Sequence, residues 1–463
     1  MDQSCPNKTG EFTAILKDAE TYRTAQLRDR IVSSLYQRAE EVSQQVVTKK
    51  TKGPNWDELL DNILTSRLFG FPVMLGILAL VFWLTLTGAN YPSQLLARIL
   101  FWGQDQLTIL FQWLGAPTWL HGLLILGMYR SMAWVVSVML PPMAIFFPCF
   151  TLLEDLGYLP RVAFNVDRFF KKAGSHGKQA LTMSMGLGCN AAGVVACRII
   201  DSPRERLIAI VTNNFVPCNG RFPTLMALAT IFLAVAFPPA FRSIAASGMV
   251  VGIILLGATI TLITSLVLSK TILKGVPSTF ALELPPYRKP QLGRVIVTSM
   301  LDRTIFVLGR AISIAAPAGA IIWVLANVHI GQLSILTHIG NFLDPAGRLL
   351  GMDGFILLAF MLGLPANEIV FPILIMSYLA TGSLMEFESL DTLHKVLIGH
   401  GWTWVTGLNV MIFSLLHFPC ATTLLTIRKE TNSWRWTAVS AVLPTIIGVV
   451  ITFVLAQMAR LFY

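Results

Sequence analysis

The sequence predicts an all-α polytopic membrane protein with two inverted repeats, each containing a re-entrant hairpin and a broken helix. Composition indicates the membrane, because 54% of the 463 residues are hydrophobic, only 13% are charged and the mean hydropathy is +0.65. Such values lie far from those of soluble domains. Four uncharged runs are long enough to cross a hydrocarbon core, which takes about 20 residues. They lie at 68–88, 131–153, 244–268 and 436–459.

Two short tracts in the less uniform apolar segments predict the repeat, because they look like copies of each other. Residues 186–190 read Gly-Leu-Gly-Cys-Asn and residues 363–367 read Gly-Leu-Pro-Ala-Asn. Each tract precedes a second interrupted segment, which carries Val-Pro-Cys at 216–218 in the first half and Phe-Pro-Cys at 418–420 in the second. Paired, broken hydrophobic segments in two halves of a chain are typical of a transporter's substrate site.

These tracts divide the chain into five parts, two of which repeat the order span, re-entrant hairpin, broken span and span. The parts are a cytoplasmic helical segment at 1–66, a leading transmembrane helix with a connecting segment at 67–127, a first repeat at 128–270, a cytoplasmic amphipathic linker at 271–302 and a second repeat at 303–463. Three crossings per repeat make the second repeat inverted relative to the first. Pro142 matches Pro317 in this order, and residues 153–157 match residues 343–347.

Basic residues predict the orientation in the membrane. If both hairpins enter and leave on one side, the loops at 154–178, 198–206, 270–303 and 428–435 carry 17 Lys and Arg, and the opposite loops carry 4. The positive-inside tendency places the basic loops and the N-terminus in the cytoplasm. A basic face beside anionic lipid explains the net charge of +10 without a nucleic-acid partner.

Helix breaks at membrane depth predict where a substrate binds. Backbone groups there need a hydrogen-bond partner unless they border a cavity or a ligand. Pro217 and Pro419 free such groups in the two broken spans. We therefore expect unwound main chain around these prolines to face the substrate.

Three cysteines stand at these breaks, namely Cys189, Cys218 and Cys420. Sulfur ligands suit soft and borderline divalent metals better than magnesium or calcium. The alternative is that a free cysteine packs as a small buried hydrophobe, which is favoured for Cys149 and Cys197. No two cysteines form a Cys-x-x-Cys pair, so a structural zinc site is not expected.

Polar residues at the hairpin tips complete the predicted metal site. Glu368 is the one carboxylate deep in an apolar segment, and a buried ionisable group in a membrane indicates a functional site. Asn367 and Asn190 offer amide oxygens, so the two tips could meet as ligands. Arg221 is expected to fix an unwound carbonyl or to pair with an acid. His417 is either a ligand or a packed histidine, and packing is favoured.

Glu154 and Asp155 lie at the inner end of the second predicted span. We expect them to fix the helix end or the following loop, or to form an inner gate contact, rather than to bind metal.

In combination, several tracts resemble the membrane portion of the ferrous iron transporter B (FeoB) family over nearly all of residues 20–463. The tracts are 153–164, 186–190, 204–207, 217–223, 419–424 and 428–431. The two repeats resemble the paired Gate, or nucleoside-recognition-like, regions of that family. The resemblance implies Fe(II) uptake across a bacterial cytoplasmic membrane, with Fe(II) as the transported substrate and no permanently bound cofactor. It also implies that Cys189, Cys218 and Cys420 lie on the metal path.

The family's N-terminal GTPase domain finds no match in these residues. No Gly-x-x-x-x-Gly-Lys-[Ser/Thr] motif is present, and Gly-Ser-His-Gly-Lys-Gln at 174–179 reads as an ordinary loop. We therefore expect a transporter without its own nucleotide-binding domain, gated by a separate small GTPase subunit. The resemblance also implies a small SH3-like accessory protein as a partner and leaves a homo-oligomer open.

Two alternatives stay open at this point. One is a transporter of nucleosides or other small solutes, because Asn, Glu and freed backbone groups could bind a base or a ribose. The other is a Gate-type membrane scaffold that transports nothing. The order of preference among Fe(II), Mn(II) and Zn(II), and the choice between channel and alternating access, do not follow from the residues.

Overall fold

The computed structural model describes residues 24–46, 56–66, 68–233, 241–275, 304–384 and 390–462, and the single positions 238, 287, 291, 293 and 297. Within these residues the protein is almost entirely helical, and six helices are long and apolar enough to cross a membrane, or seven if one bent pair is a single span. The all-α polytopic class is thus confirmed. Most of the linker predicted at 271–302 lies outside the described residues.

Within the described residues, three helices precede the first repeat. They are α1 (Thr24–Val46), α2 (Trp56–Leu64) and α3 (Gly70–Trp113). At 1.5 Å per residue, the 44 residues of α3 extend about 66 Å, which is twice the hydrocarbon thickness of about 30 Å. The helix therefore continues through most of the stretch that the sequence predicted as a connecting segment.

Seven helices make up the described part of the first repeat, and the first of them begins before the predicted boundary at 128. They are α4 (Thr118–Asp155, with a π-helical stretch at Gly122–Tyr129), α5 (Tyr158–Lys172), α6 (Gln179–Gly188), α7 (Asn190–Ala196), α8 (Pro203–Thr212), α9 (Phe222–Leu228) and α10 (Arg242–Lys270). Helices α6 and α7 form the first hairpin. Helices α8 and α9 form a span that is broken between Thr212 and Phe222, where only short 3₁₀ turns occur.

The second repeat follows the same order. Its elements are α11 (Phe306–Asn327), β1 (His329–Ile330), β2 (Leu333–Ser334), α12 (Ile335–Leu349), α13 (Gly354–Leu362), α14 (Val370–Leu379), α15 (Leu390–Gly399), α16 (Trp404–Leu416), α17 (Ala421–Thr431) and α18 (Trp434–Phe462). Helices α13 and α14 form the second hairpin, and α16 and α17 form the second broken span. Helix α12 bends by 110° into α13.

The two repeats are inverted because their first spans run antiparallel. Gly122 of α4 contacts Trp323 of α11, and one and a half turns later Gly127 contacts Gly319. As the residue number along α4 rises, the number of the residue that it contacts on α11 falls, which is the pattern of two antiparallel helices. Small residues at this crossing let the two backbones approach closely.

Both hairpins are re-entrant in their dimensions. The ten residues of α6 rise about 15 Å, half of the hydrocarbon thickness, and α7 returns from the tip. The tips also share one backbone conformation, with φ −152° and ψ 123° at Cys189 and φ −153° and ψ 127° at Ala366. One predicted correspondence is wrong: residues 153–157 span the end of α4, whereas residues 343–347 lie inside α12.

An ion pair ties the N-terminal helices to the first repeat. The guanidinium of Arg161 in α5 is buried and donates to both carboxylate oxygens of Asp61 in α2, at 2.9 and 3.2 Å. The Tyr287 hydroxyl donates to the same carboxylate at 2.8 Å, and its ring lies 4.2 Å from the Arg161 guanidinium. Asn165 of α5 donates to the carbonyl of Leu64 at 2.7 Å. Helix α2 is thereby fixed to the helix that leads into the first hairpin.

Replacing this carboxylate by an amide should loosen α2. Asp61→Asn removes the charge that pairs with buried Arg161, and we expect a local loss of about 1–3 kcal/mol. The hydrogen bond from Arg161 lowers the pKa of Asp61 below its ordinary value of 3.8. The ion pair therefore stabilises the folded protein fully at pH values above 3.8, and this stabilisation is lost as the pH falls through the lowered pKa. Amide hydrogen exchange of residues 56–64 measures both effects. Glu41→Gln, at an exposed pair in α1, is the control and should change protection by less than about 0.5 kcal/mol.

Candidate functional site

A small cavity lies where the two hairpin tips and the two broken spans meet. Its volume is about 30 Å³, enough for an ion with one or two waters. All six residues predicted to bind metal line it, namely Cys189, Asn190, Cys218, Asn367, Glu368 and Cys420. Sequence elements separated by more than 200 residues thus come together at one point, as the paired tracts predicted.

Asn190 holds the first tip to the first broken span. Its side-chain amide, oriented as its neighbours require, donates to the carbonyls of Gly186 at 3.0 Å and Val216 at 3.2 Å. The Val216 carbonyl lies immediately before Pro217, in the break between α8 and α9. The side-chain nitrogen of Asn190 therefore satisfies main-chain carbonyls that the break exposes. The amide oxygen of Asn190 takes part in neither of these two bonds.

The second tip contacts the first broken span directly. The Asn367 amide lies 3.6 Å from the sulfur of Cys218. The Glu368 carboxylate packs against Gly220, where an added Cβ would lie 2.2 Å from Oε1. A side chain at position 220 would therefore have to displace the Glu368 carboxylate from its present place.

Arg221 takes the first of its two predicted roles. Its Nη1 donates to the carbonyl of Leu415 at 2.9 Å and its Nη2 to that of Phe418 at 3.5 Å. Both carbonyls lie just before Pro419, at the second break. The buried guanidinium also lies within electrostatic range of the Glu368 carboxylate.

His417 is packed, as the favoured alternative predicted. Its Nδ1 lies 2.9 Å from the carbonyl of Ser414, and its ring centroid lies 4.8 Å from that of Phe360. Alignment of the two Pro-Cys tracts places His417 opposite Phe215, which is fully buried. A ring-bearing side chain therefore lies two residues before the proline in both broken spans.

The remaining cysteines and acids lie outside the cavity lining. Cys197 is buried and its thiol donates to the carbonyl of Gly193 at 3.3 Å, and Cys149 packs at the edge of an apolar cluster. Glu154 and Asp155 end α4, and the Asp155 carboxylate accepts from the backbone N–H of Gln291 at 3.0 Å. Asp155 thus bonds to the main chain of the predicted linker at Gln291, one of its described positions.

Two methionines that the sequence did not single out also line the cavity. Met139 and Met143 stand one helical turn apart on α4, on either side of Pro141 and Pro142. Their thioethers add two soft donor atoms to the three thiols. The one sequence signal for these two methionines is their i, i+4 spacing beside a pair of prolines. Because methionine is common in apolar helices, this spacing alone does not distinguish a cavity residue from a packed one. Thr422 and Thr423 line the same cavity, and the Thr423 hydroxyl lies 3.3 Å from the sulfur of Cys420.

Among the described residues, no three His, Cys, Asp or Glu side chains stand close enough to hold one ion together. The donors surround the cavity without forming a closed ligand shell.

Comparison with known proteins bears on the class of this fold. A family model described as "Nucleoside recognition" (Gate) matches residues 136–232 and 308–434, one region in each repeat. A second model, "Ferrous iron transport protein B C terminus", matches residues 250–303. No solved structure matches the chain. The fold and the cavity therefore define a Gate-type membrane protein with two inverted repeats.

Curated relatives give the family. The "Fe(2+) transporter FeoB" of Staphylococcus aureus (strain MSSA476) is 31% identical over 413 residues, which are 87% of this chain and 59% of that protein. The protein of the same name from Methanocaldococcus jannaschii is 27% identical over 94% of this chain and 63% of its own length. The chain belongs to the FeoB family and corresponds to a membrane portion of it. It spans less than two thirds of these relatives.

A side chain at Gly220 should disturb the contact between the repeats. Gly220→Ala places a Cβ 2.2 Å from the Glu368 carboxylate, and overpacking of this kind costs about 1–3 kcal/mol. We expect a lower unfolding temperature in detergent. Gly248→Ala is the control, since nothing lies within 4 Å of its Cβ, and in helix α10 it should be neutral or stabilising by up to about 1 kcal/mol. Equal behaviour of the two variants would contradict the close contact.

Proposed function

We propose that this chain is the permease for Fe(II) uptake across a bacterial cytoplasmic membrane. The observation that carries the proposal is the convergence of Cys189, Cys218 and Cys420 on one cavity, together with Glu368 from the second hairpin tip. The family membership supports the substrate, because the curated relatives are named as Fe(2+) transporters.

The donor set suits this ion. Fe(II) is a borderline metal that accepts sulfur as well as oxygen, whereas Mg²⁺ and Ca²⁺ prefer oxygen alone. An ion at mid-bilayer loses its hydration, so thiols, thioethers and amide oxygens must replace the lost water. Glu368 supplies negative charge to the dehydrated cation, and Arg221 balances that charge when the site is empty.

The cavity size disfavours an organic substrate in this conformation. Pockets for drug-sized ligands have volumes of about 300–1,000 Å³, whereas this cavity encloses about 30 Å³. The family description "Nucleoside recognition" therefore describes the Gate fold here and not the substrate that we propose.

We further propose that the basic face lies in the cytoplasm and receives the regulatory partners. A GTPase supplied from outside these 463 residues would act on this cytoplasmic face. Helix α2 offers it a path to the cavity, because α2 is fixed to α5 through Asp61 and Arg161, and α5 leads into the first hairpin. A movement of α2 would thus reach the cavity through rigid helices. The relative from Porphyromonas gingivalis (strain ATCC BAA-308 / W83) is named an "Fe(2+) transport protein A/Fe(2+) transporter FeoB fusion protein", which supports a small accessory protein as a second partner.

Removal of the cavity thiols should abolish iron transport. In proteoliposomes, Cys189→Ser, Cys218→Ser and Cys420→Ser should each reduce the initial rate of Fe(II) uptake by at least about tenfold, because a hydroxyl is a poor ligand for a borderline metal. Glu368→Gln keeps the shape of the side chain but removes its charge, and should reduce uptake similarly.

Cys149→Ser is the matched control, because that thiol lies outside the cavity lining, and it should retain wild-type uptake. Parallel assays with Mn(II), Zn(II) and a radiolabelled nucleoside test the substrate. Nucleoside uptake that survives all three cavity substitutions, without iron uptake by the wild type, would replace this proposal by the small-solute alternative. If the folded protein takes up none of these substrates even in the presence of its GTPase, the scaffold alternative is favoured.

A further inference from the structure

Buried polar side chains continue from the cavity toward the basic face, between the first hairpin and α8. We call Gln179, Thr182, Thr212 and Asn213 the polar seam; each of them is fully buried. An uninterrupted polar layer inside a membrane protein is costly compared with apolar packing. Its presence therefore requires a reason.

Hydrogen bonds link the polar seam in two sections, which meet at the neighbouring residues Thr212 and Asn213. Asn213 donates to the main-chain oxygen of Asn190, a cavity residue, at 3.1 Å. Gln179 donates to the hydroxyl of Thr212 at 2.7 Å, and its own amide oxygen accepts from the Ser175 hydroxyl. Ser175 lies beside His176 in the loop before α6, at the basic face. The polar seam thus joins the cavity to the end of the bundle that we assign to the cytoplasm.

Asn213 sits in a slot between the two arms of the hairpin. A Cβ at Gly186 would lie 2.9 Å from its Oδ1, and a Cβ at Gly193 would lie 2.7 Å from its side-chain amide. Among the described residues Oδ1 has no hydrogen-bond partner, although it is buried. An unsatisfied buried acceptor costs about 1–3 kcal/mol. The slot therefore holds an oxygen that is available to a ligand.

The second repeat provides an internal comparison. Alignment of the hairpin tracts places Ile356 opposite Gln179 and Ala359 opposite Thr182, and alignment of the Pro-Cys tracts places Leu415 opposite Asn213 and Ser414 opposite Thr212. Ile356, Ala359 and Leu415 are buried in the main apolar cluster, and Ser414 is buried and polar. Three of the four seam positions are therefore packed with apolar side chains in the second repeat. Because the second hairpin and broken span form without Gln and Asn at these positions, their presence in the first repeat indicates a function.

We propose that the polar seam is the route by which the cation leaves the cavity toward the basic face, and that this structure shows it closed. The inference rests on the proposed function and adds the exit path. When the hairpin separates from α8, the bonds from Gln179 to Thr212 and from Asn213 to Asn190 break. Their oxygens then replace the ligands that the ion leaves behind. Neutral oxygens hold a borderline metal more weakly than sulfur does, which favours release.

Cysteine accessibility tests this route without depending on iron. Thr212→Cys is reconstituted in vesicles, and a membrane-impermeant methanethiosulfonate is added from the basic face. Peptide mass spectrometry identifies the modified thiol, so the native cysteines stay in place. Since an exit route must open to water, we expect modification at position 212 to be at least about tenfold faster than modification of the control position. The control is Thr261→Cys, a fully buried threonine in α10 that bonds to its own helix at Gly257.

Equal modification of positions 212 and 261, with or without Fe(II), would overturn the exit route. Gln179→Cys repeats the test on the opposite side of the polar seam. It replaces Thr212→Cys as the test variant if Thr212→Cys is not monodisperse. Failure of the proposed function looks different: the wild type would move no Fe(II), while position 212 would still react faster than position 261. Modification from the opposite face alone would also contradict the inference.

Discussion

The structure depends on one constraint, which is that polar main-chain groups at membrane depth need partners. Four helix breaks put such groups in the middle of the bundle, and specific side chains satisfy them. Asn190 bonds to carbonyls at the first tip and the first broken span, and Arg221 bonds to two carbonyls at the second break. The unwound segments are therefore held in place without closing the cavity. That cavity is where an ion can find donors that a continuous helix would not offer.

The sequence predicted the repeat and its convergence because helix breakers leave a strong local signal. Gly, Pro and Asn in matched order marked both tips and both broken spans, and the structure brings these tracts together. Amphipathic elements gave a weaker signal. The acidic tract at 343–347 looks like the one at 153–157, but it lies inside α12, where one face of a helix is polar for reasons of exposure and not of repeat order.

Two further features could not be read from the residues. The outer half of α3 contains charged residues and a proline, which resemble a loop, yet it continues as helix because it packs along α4. The polar seam consists of Asn, Gln and Thr, which occur in loops, caps and helix contacts alike. Only three-dimensional contact shows that they lie together in the interior, and only the alignment of the two repeats shows that apolar residues take the places of three of them.

The ligands of the cavity are divided between the repeats: Cys189 and Cys218 come from one, and Cys420 and Glu368 from the other. Neither repeat alone would enclose an ion. A single repeat would need a second copy in the opposite orientation to complete this cavity, so the covalent link between the two repeats fixes both the stoichiometry and the relative orientation of the ligands.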